Sequence, residues 1–267
     1  MKSFFVALSV TAAVTACSPA GQPAAVTPAP PSAVRLPPVK AGFDYQLGGA
    51  YPPPSGVEVV SRDHGAAPAA RRYNICYVNA FQAQPGAEGE WGDLVLRDAN
   101  GEPVIDEDWH EALLDLRTPD KRERAAAKVN AWTDECAAKG FQAIEPDNYD
   151  SYTRSHSLLS DVDAQAFVRL LSAHAHEKGL ATAQKNTSEL AGRRQENGLD
   201  FAVAEECGEQ ENCDEYTAAF GDHVVVIEYT DEGLSTACTR WGGSLSIVRR
   251  DRDVVPEGAA GYVRRTC

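Results

Sequence analysis

Three carboxylates follow a short apolar segment near the middle of the chain. The segment spans residues 140–152, GFQAIEPDNYDSY, and its apolar start predicts a buried strand that ends at Glu145. Asp147 and Asp150 come directly afterwards. Residues two apart on a strand share a face, so Glu145 and Asp147 are expected to lie side by side. Two like charges raise the pKa of one partner, so one of these acids could be kept protonated for acid–base chemistry.

Strands and helices alternate on either side of this segment. Apolar runs predict nine strands, over residues 43–47, 57–61, 75–80, 112–116, 141–145, 180–185, 201–205, 223–229 and 245–249. Apolar residues at helical spacing predict helices over 121–139 and 161–178, each leading to a Gly. This order indicates a parallel sheet with helical crossovers, either an open doubly wound sheet or a closed (β/α)₈ barrel. No GxGxxG or GxxxxGK[ST] motif follows a strand, which favours a single-domain (β/α)₈ TIM barrel with one predicted strand outside it.

Polar residues end several of the predicted strands. In a TIM barrel the reactive groups lie at the carboxyl ends of the strands. Two carboxylates on different strands suit glycoside hydrolysis, and their separation sets the stereochemistry. A strand-end acid can equally be a helix N-cap or half of a loop ion pair, for which Asp150 and Asp161 are candidates. Besides Asp147 and Glu205, the candidate site residues are Asp44, Gln46, Tyr77, Glu145, Asn148, Asp150, Tyr152, Lys185, Glu228 and Tyr229.

Six segments together resemble glycoside hydrolase family 114, the endo-α-1,4-polygalactosaminidases. The most specific is KGFQAIEPDNYDSY, which is similar to the GFD-V-PDN-D-Y signature of the family. The resemblance covers most of the chain after residue 39. Its other segments are FDYQLGG, YNICYVNAF, GLATAQKN, DFAVAEECGEQENC and VVVIEY.

The resemblance implies a (β/α)₈ barrel that hydrolyses α-1,4-linked galactosamine polymers without a metal or cofactor. It carries the catalytic pair onto Asp147, as nucleophile, and Glu205, as general acid and base. Adjacent strand residues face opposite ways, so only one of Glu205 and Glu206 can point into the mouth. The chain departs from the family at Gln142, where Asp is frequent, and at Ala204, where Asn usually precedes the catalytic Glu.

The chain is acidic, with a formal net charge of -14 that is spread along its length. Such a surface does not suit nucleic-acid binding. The charge can serve solubility, or it can attract a cationic ligand. Galactosamine units carry ammonium groups, so the resemblance favours a cationic galactosamine-containing polysaccharide as partner. Tyr149 and Tyr152 lie next to the acids and are candidate sugar-stacking platforms. A barrel that binds such a polymer without cleaving it, and a hydrolase of another amino-sugar glycan, remain alternatives.

The amino-terminal segment has the features of export. Residues 1–17 predict a signal peptide whose end, VTAC, resembles a bacterial lipobox with Cys17 as the lipidated residue. A plain signal peptide cleaved elsewhere is the alternative. Residues 18–39 are rich in Pro and Ala and predict an extended linker to a monomeric domain over 40–267. The expected location is the periplasmic or extracellular side of a membrane, which the protein contacts only through its lipid anchor.

Six cysteines remain after Cys17, an even number that suggests three disulfides in an exported protein. Six cysteines allow 15 connectivities, of which nearest-neighbour pairing favours Cys76–Cys136, Cys207–Cys213 and Cys238–Cys267 and leaves the others open. Zinc binding is the rival interpretation, but no CxxC motif or close His pair accompanies these residues, and no metal site is predicted.

Overall fold

The computed structural model describes Met1 and residues 34–267. The predicted signal peptide with Cys17, and the linker as far as residue 33, lie outside the described residues. Strands in this part of the chain are β1 (Gly42–Gln46), β2 (Val57–Asp63), β3 (Tyr73–Asn79), β4 (Gln82–Ala83), β5 (Ile105–Asp106), β6 (Glu111–Leu113), β7 (Ala143–Asp147), β8 (Ala181–Lys185), β9 (Phe201–Glu205), β10 (Val224–Glu228), β11 (Ser246–Arg250) and β12 (Arg264–Thr266). Helices are α1 (Glu88–Trp91), α2 (Pro119–Lys139), α3 (Asp161–Glu177), α4 (Arg194–Asn197), α5 (Cys213–Phe220) and α6 (Asp231–Trp241).

A curled parallel sheet forms the centre of a TIM-like α/β fold. Its strands follow the order β1-β2-β3-β7-β8-β9-β10-β11, and β12 pairs antiparallel with the outer edge of β11. The two ends of the sheet meet: the amide of Ala41 donates to Oγ of Ser246 at 2.9 Å. Arg264 of β12 donates to the carbonyl of Phe43 in β1 at 3.0 Å. Side chains and β12 therefore join the ends, in place of a backbone ladder between β1 and β11.

Two apolar cores flank the sheet because its strands are buried on both faces. The inner core contains residues such as Phe43, Ile75 and Phe201. The outer core lies between the strands and the helices and includes Val129 of α2 and Phe167 of α3. Apolar residues on both faces explain why the strands appear in the sequence as nearly continuous apolar runs.

The two long helices begin and end where local chemistry dictates. Thr118 caps α2 by accepting from the amide of Lys121, and α2 ends at Gly140, whose φ of 92° suits glycine. Ser160 and Asp163 form a reciprocal capping box at the start of α3. The predicted helices over 121–139 and 161–178 are confirmed to within two residues.

One predicted strand belongs to a different sheet, and in the described chain no helix follows β1, β2 or β11, so three helices of an ideal barrel are missing. The run 112–116 contributes to β6, which pairs antiparallel with β4 and β5 in a three-stranded sheet inserted between β3 and α2. Ala112, Leu113 and Leu114 are buried there, so the run is as apolar as a barrel strand. The described connections over 47–56 and 64–72 contain turns and bends but no helix.

Three disulfides join Cys76 to Cys136, Cys207 to Cys213 and Cys238 to Cys267, which confirms the predicted pairing. Residues 34–39 pack against the domain: the hydroxyl of Tyr73 donates to the carbonyl of Arg35 at 2.6 Å. Among the described residues, no helix combines the length and apolar character that crossing a bilayer requires.

Candidate active site

Strand alternation places one set of side chains at the carboxyl end of the sheet. On β1, β3, β7, β8, β9 and β10 the odd-numbered residues contribute to the inner core, and the even-numbered ones to the outer core or its edge. Because the alternation has a period of two, the last inward residues of these strands converge at one mouth. The group at the mouth consists of odd-numbered residues at or just beyond the strand ends, with Ser61 of β2 beneath them: Tyr45, Tyr77, Glu145, Asp147, Lys185, Glu205 and Tyr229.

Lys185 is the centre of this group. Its side chain is 2 % exposed, and its ammonium contacts carboxylates from two other strands. Nζ lies 3.1 Å from Oδ1 of Asp147, 3.2 Å from Oε2 of Glu205 and 3.4 Å from Oε1 of Glu145. It also donates to the hydroxyl of Tyr45 at 3.1 Å. One buried cation therefore holds three acids together.

The charges of Lys185 and Asp147 stabilise each other. Burial acts to lower the pKa of Lys185, but Asp147 and Glu205, followed by Tyr45 and Glu145, raise it well above its usual value. Burial acts to raise the pKa of Asp147, but the ammonium of Lys185 and a 2.7 Å hydrogen bond from Tyr77 hold it below its ordinary value. Asp147 is therefore a carboxylate at neutral pH, and Lys185 is an ammonium.

The pKa of Glu145 shifts in the opposite direction to that of Asp147. Glu145 is fully buried, and burial raises its pKa, opposed by Lys185 and by the hydroxyl of Ser61. Tyr45 donates to its Oε1 at 2.8 Å and Ser61 to its Oε2 at 2.7 Å. Glu145 and Asp147 share a face as predicted, and their pKa values move apart.

Glu205 is oriented by residues of the two neighbouring strand ends. Asn186 donates its side-chain amide to Oε2 of Glu205 at 2.9 Å and accepts from the Glu205 backbone amide at 2.8 Å. The hydroxyl of Tyr229 donates to Oε1. Both carboxylate oxygens are thus held, and the side chain is 22 % exposed at the floor of the cleft.

The backbone turns sharply where three of these strands end. Four residues that follow these strands have positive φ values. They are Asn148 after β7 (66°), Asn186 and Thr187 after β8 (49° and 62°) and Glu206 after β9 (58°). Non-glycine residues seldom adopt this left-handed conformation, although Asn tolerates it better than most. Such strained positions cluster at functional sites, and here they leave Asp147, Lys185 and Glu205 as the last inward side chains.

The inserted sheet forms one wall of the mouth. Glu111 of β6 accepts from Nδ2 of Asn79 at 2.8 Å, and burial raises its pKa to about 7. Asp106 of β5 contacts Nε of Arg154 at 2.6 Å. Trp109, between these strands, is 57 % exposed and stands at the rim.

A two-lobed cleft crosses the mouth. The first lobe has a volume of about 440 Å³ and is lined by Tyr77, Glu111, Asp147 and Lys185 among others. The second lobe has a volume of about 320 Å³ and includes Glu189 and Tyr216. The residues that line both lobes are Trp109, Asp150, Asn186, Glu205, Tyr229 and Arg252.

Of the remaining candidate site residues, Asn148 and Asp150 also line the first lobe, whereas Asp44, Gln46, Glu228 and Tyr152 lie elsewhere. Asp44 accepts from Gln46 at 2.8 Å and contacts Arg264 at 3.2 Å, so these polar groups tie β1 to β12. They sit at even positions, which alternation turns away from the mouth.

Glu228 also has an even position. It is fully buried on the outer side of β10, where its Oε1 accepts from the amide of Gly208 at 2.7 Å. Tyr152 does not line either lobe, but its hydroxyl donates at 2.5 Å to Glu189, which lines the second lobe. Tyr149 is buried against Phe81 in the outer core, so it cannot stack on a sugar.

The two departures from the family pattern do not touch the mouth. Ala204 is fully buried in the outer core, so a side chain at this position cannot reach the cleft. Gln142 precedes β7 at the amino-terminal end, where its Oε1 accepts from the amide of Asn74 at 2.8 Å. The amide group that contacts Glu205 comes from Asn186 instead.

Tyr45, Ser61, Asn186 and Glu111 contact the acids or line the cleft but were not among the candidate residues, and neither were Trp109 and Arg252, which line both lobes. The alternation in FDYQL could have identified Tyr45, since Phe43, Tyr45 and Leu47 share a face. Asn186 follows Lys185 at a strand end. Nothing in the sequence places Glu111 here, because the position of an inserted sheet depends on tertiary packing. Within the described chain, no group of three or more His, Cys, Asp or Glu side chains is arranged to hold a metal ion.

Comparison with known proteins identifies the family. The family model described as glycoside-hydrolase family GH114 matches residues 23–267. The chain belongs to glycoside-hydrolase family GH114. This confirms the resemblance drawn from its motifs, and membership places the protein among glycoside hydrolases. A comparison with curated protein sequences gave no match.

Solved structures support the GH114 fold. The crystal structure of Aspergillus fumigatus Ega3 in complex with galactosamine has a TM-score of 0.72 at 21 % identity, covering 88 % of this chain and 98 % of that chain. The glycoside hydrolase domain of PelA from Pseudomonas aeruginosa has a TM-score of 0.54 at 16 % identity. The similarity covers 86 % of this chain and 99 % of that domain. At these sequence identities, the similarity shows a shared fold and nothing further.

Replacing Lys185 by Met tests whether this ammonium holds the carboxylates together. Removing one partner of a buried charge pair costs about 3–5 kcal/mol, so we expect that loss in the free energy of unfolding at pH 7. The loss should shrink at pH 4. Without the ammonium the pKa of Asp147 is no longer held low, and protonation then relieves the repulsion between the acids.

Denaturant unfolding at both pH values measures this effect. Lys178→Met is the matched control, because Lys178 forms an exposed pair with Asp134 that is worth under about 1 kcal/mol. Equal effects of the two substitutions, or a Lys185 effect independent of pH, would contradict the arrangement described here.

Proposed function

We propose that this GH114 protein is an exported glycoside hydrolase that cleaves α-1,4-linked galactosamine-containing polysaccharide. The observation that carries the proposal is the pair Asp147 and Glu205, on different strands, both in contact with Lys185 at the floor of an open cleft. Family membership supports glycoside hydrolysis, and two carboxylates are the usual machinery for that reaction.

Asp147 is the nucleophile in this proposal, and Glu205 is the general acid and base. The ionised carboxylate of Asp147 attacks the anomeric carbon while Glu205 gives its proton to the departing glycosidic oxygen. Glu205 then removes a proton from water, and the resulting hydroxide displaces Asp147 from the glycosyl ester. The lowered pKa of Asp147 supports the first role, because only the ionised form can attack.

Retention of anomeric configuration is part of this proposal, and the closeness of the two acids supports it. One oxygen of Asp147 and one of Glu205 contact the same nitrogen at 3.1 and 3.2 Å. The two carboxyl groups lie about 5–5.5 Å apart in retaining enzymes and about 6.5–9.5 Å apart in inverting ones, which need room for an intervening water, and a shared contact favours the shorter separation. The spacing therefore supports direct attack by Asp147.

Lys185 positions the acids and is not a nucleophile in this scheme. Its raised pKa keeps it an ammonium, which has no lone pair to attack with. The ammonium also offsets part of the negative charge of three acids that would otherwise repel one another.

The lining of the cleft supports an amino-sugar polymer as substrate. Acidic residues outnumber basic ones in both lobes, which favours sugars that carry ammonium groups. Ega3, whose structure contains galactosamine, has the same fold. Trp109 at the rim offers an exposed ring for stacking. The lobes meet at Glu205, so sugar units can extend on either side of it, as internal cleavage of a chain requires.

The departure from the family pattern that would favour a binding protein without activity is Ala204, where the family usually has Asn before the catalytic Glu. The outer-core position of Ala204 and the contact of Asn186 with Glu205 remove that reason. Hydrolysis is therefore the better supported function.

Glu205→Gln tests the catalytic part of the proposal. Loss of the general acid should lower turnover of a deacetylated α-1,4-galactosamine polymer by about 10²–10⁴-fold, measured as release of reducing ends. Binding of the polymer should persist, because Gln preserves the size and the acceptor oxygen of the side chain. Glu209→Gln is the control, an exposed residue of the same loop that bonds to Thr230. Binding by the wild type with no new reducing ends would instead establish the non-catalytic protein.

We also propose that Cys17 carries a lipid anchor and that residues 18–33 continue the spacer to the membrane. The support is the sequence VTAC at the end of an apolar segment. Labelled fatty acid should enter the wild type and not Cys17→Ser, as read by gel and mass spectrometry. An unlabelled mature form that begins at another residue would contradict lipidation.

A further inference from the structure

Glu111 is a carboxyl group in the first lobe that the proposed mechanism does not use. It comes from β6 of the inserted sheet, not from a strand of the barrel. Its Oε2 accepts from Asn79 at 2.8 Å and from Nδ2 of Asn148 at 3.5 Å. Its Oε1 has no hydrogen-bond partner in the described part of the chain. One oxygen is therefore fixed by neutral amides, and the other is available to a ligand in the lobe.

Most other buried or half-buried acids of the first lobe have a cationic partner. Lys185 contacts Asp147 and Glu205, and Arg154 contacts Asp106 at 2.6 Å and Asp150 at 2.9 Å. No Lys or Arg among the described residues forms an ion pair with Glu111. Of the remaining acids, Asp108 and Asp253 are exposed, and Asp63 accepts from the backbone of Gly65 at 2.8 Å.

We propose that Glu111 binds the ammonium group of a galactosamine unit in the first lobe and selects deacetylated sugar at that position. This rests on the proposed function. Its chemistry is a charge-assisted hydrogen bond from the sugar ammonium to Oε1, next to the two amides that hold Oε2. An N-acetyl group in the same place is neutral and larger, so it gains no such bond.

Burial supports this role. It disfavours the charged form of Glu111, which Asn79 and the more distant charge of Arg154 oppose, and a cation in the lobe would add a direct counter-charge. Asn148 connects Glu111 to the reaction centre, because its backbone amide donates to Oδ1 of Asp147 at 2.8 Å. An ammonium at Glu111 therefore belongs to a sugar on the Asp147 side of the cleft.

Glu111→Gln is the test, because Gln keeps an oxygen for Asn79 and Asn148 but removes the charge. The substrates are a deacetylated α-1,4-galactosamine oligosaccharide and the same oligosaccharide after chemical N-acetylation. The control is Glu123→Gln, the same loss of charge at an exposed position of α2. Reducing-end release gives kcat/KM, and calorimetry in an Asp147→Asn background gives Kd for each substrate.

We expect Glu111→Gln to lose about 10- to 100-fold in kcat/KM and in affinity for the deacetylated oligosaccharide, as removal of a charged hydrogen-bond partner does. The change for the acetylated one should stay under about threefold. The role of Glu111 would be overturned if Glu111→Gln kept wild-type kcat/KM and Kd with both substrates, or if it lost activity and affinity equally with both. Absence of turnover in the wild type would overturn the proposed hydrolase, while the Kd values would still decide on Glu111. If the wild type binds neither substrate, both the role of Glu111 and the proposed hydrolase are overturned.

Discussion

The ammonium of Lys185 is the interaction on which the site depends. Three acids on two other strands cannot share so small a buried volume without a cation between them, and Lys185 is that cation. The strands must hold the charges in place, because a buried charge without its partner would be costly. Interdigitating apolar side chains of the inner core fix the strands below, and the inserted sheet forms a wall above.

Alternation along the strands separates chemistry from structure. Inward positions of β7, β8 and β9 end in Asp147, Lys185 and Glu205, while the outward positions between them pack against helices. A slip of one residue on any strand would exchange the two sets. The left-handed residues that follow these strands, Asn148 and Asn186 among them, turn the chain away just beyond the reactive groups.

The elements and the mouth could be predicted from the sequence, but the direction of several side chains could not. Runs such as FAVAE and VVVIEY are apolar on both faces, so they do not reveal which residues point inward. The family motif favours Glu205 over Glu206, and the strand-end position of Glu228 predicts a residue of the mouth, although its side chain is buried on the outer side of β10. FDYQL does alternate, with Phe43 and Tyr45 on one face, so the prediction of Asp44 and Gln46 as site residues was wrong for a reason that this pattern could have revealed.

The inserted sheet could not be predicted because its apolar run resembles a barrel strand. Residues 112–116 are buried in either case, and periodicity does not distinguish a ninth barrel strand from a short antiparallel one. Glu111, the residue just before that run, lies in the cleft only because β6 pairs with β4 and β5 over the mouth. Such placement depends on contacts between distant parts of the chain.

The measurement that tests the central claim is proton NMR of a deacetylated α-1,4-galactosamine oligosaccharide during digestion by the purified protein. If Asp147 attacks the anomeric carbon and water then displaces it, the first new reducing ends must be the α-anomer, and Asp147→Asn must produce none. First appearance of the β-anomer would contradict Asp147 as nucleophile. Absence of new reducing ends with the wild type would contradict the hydrolase itself.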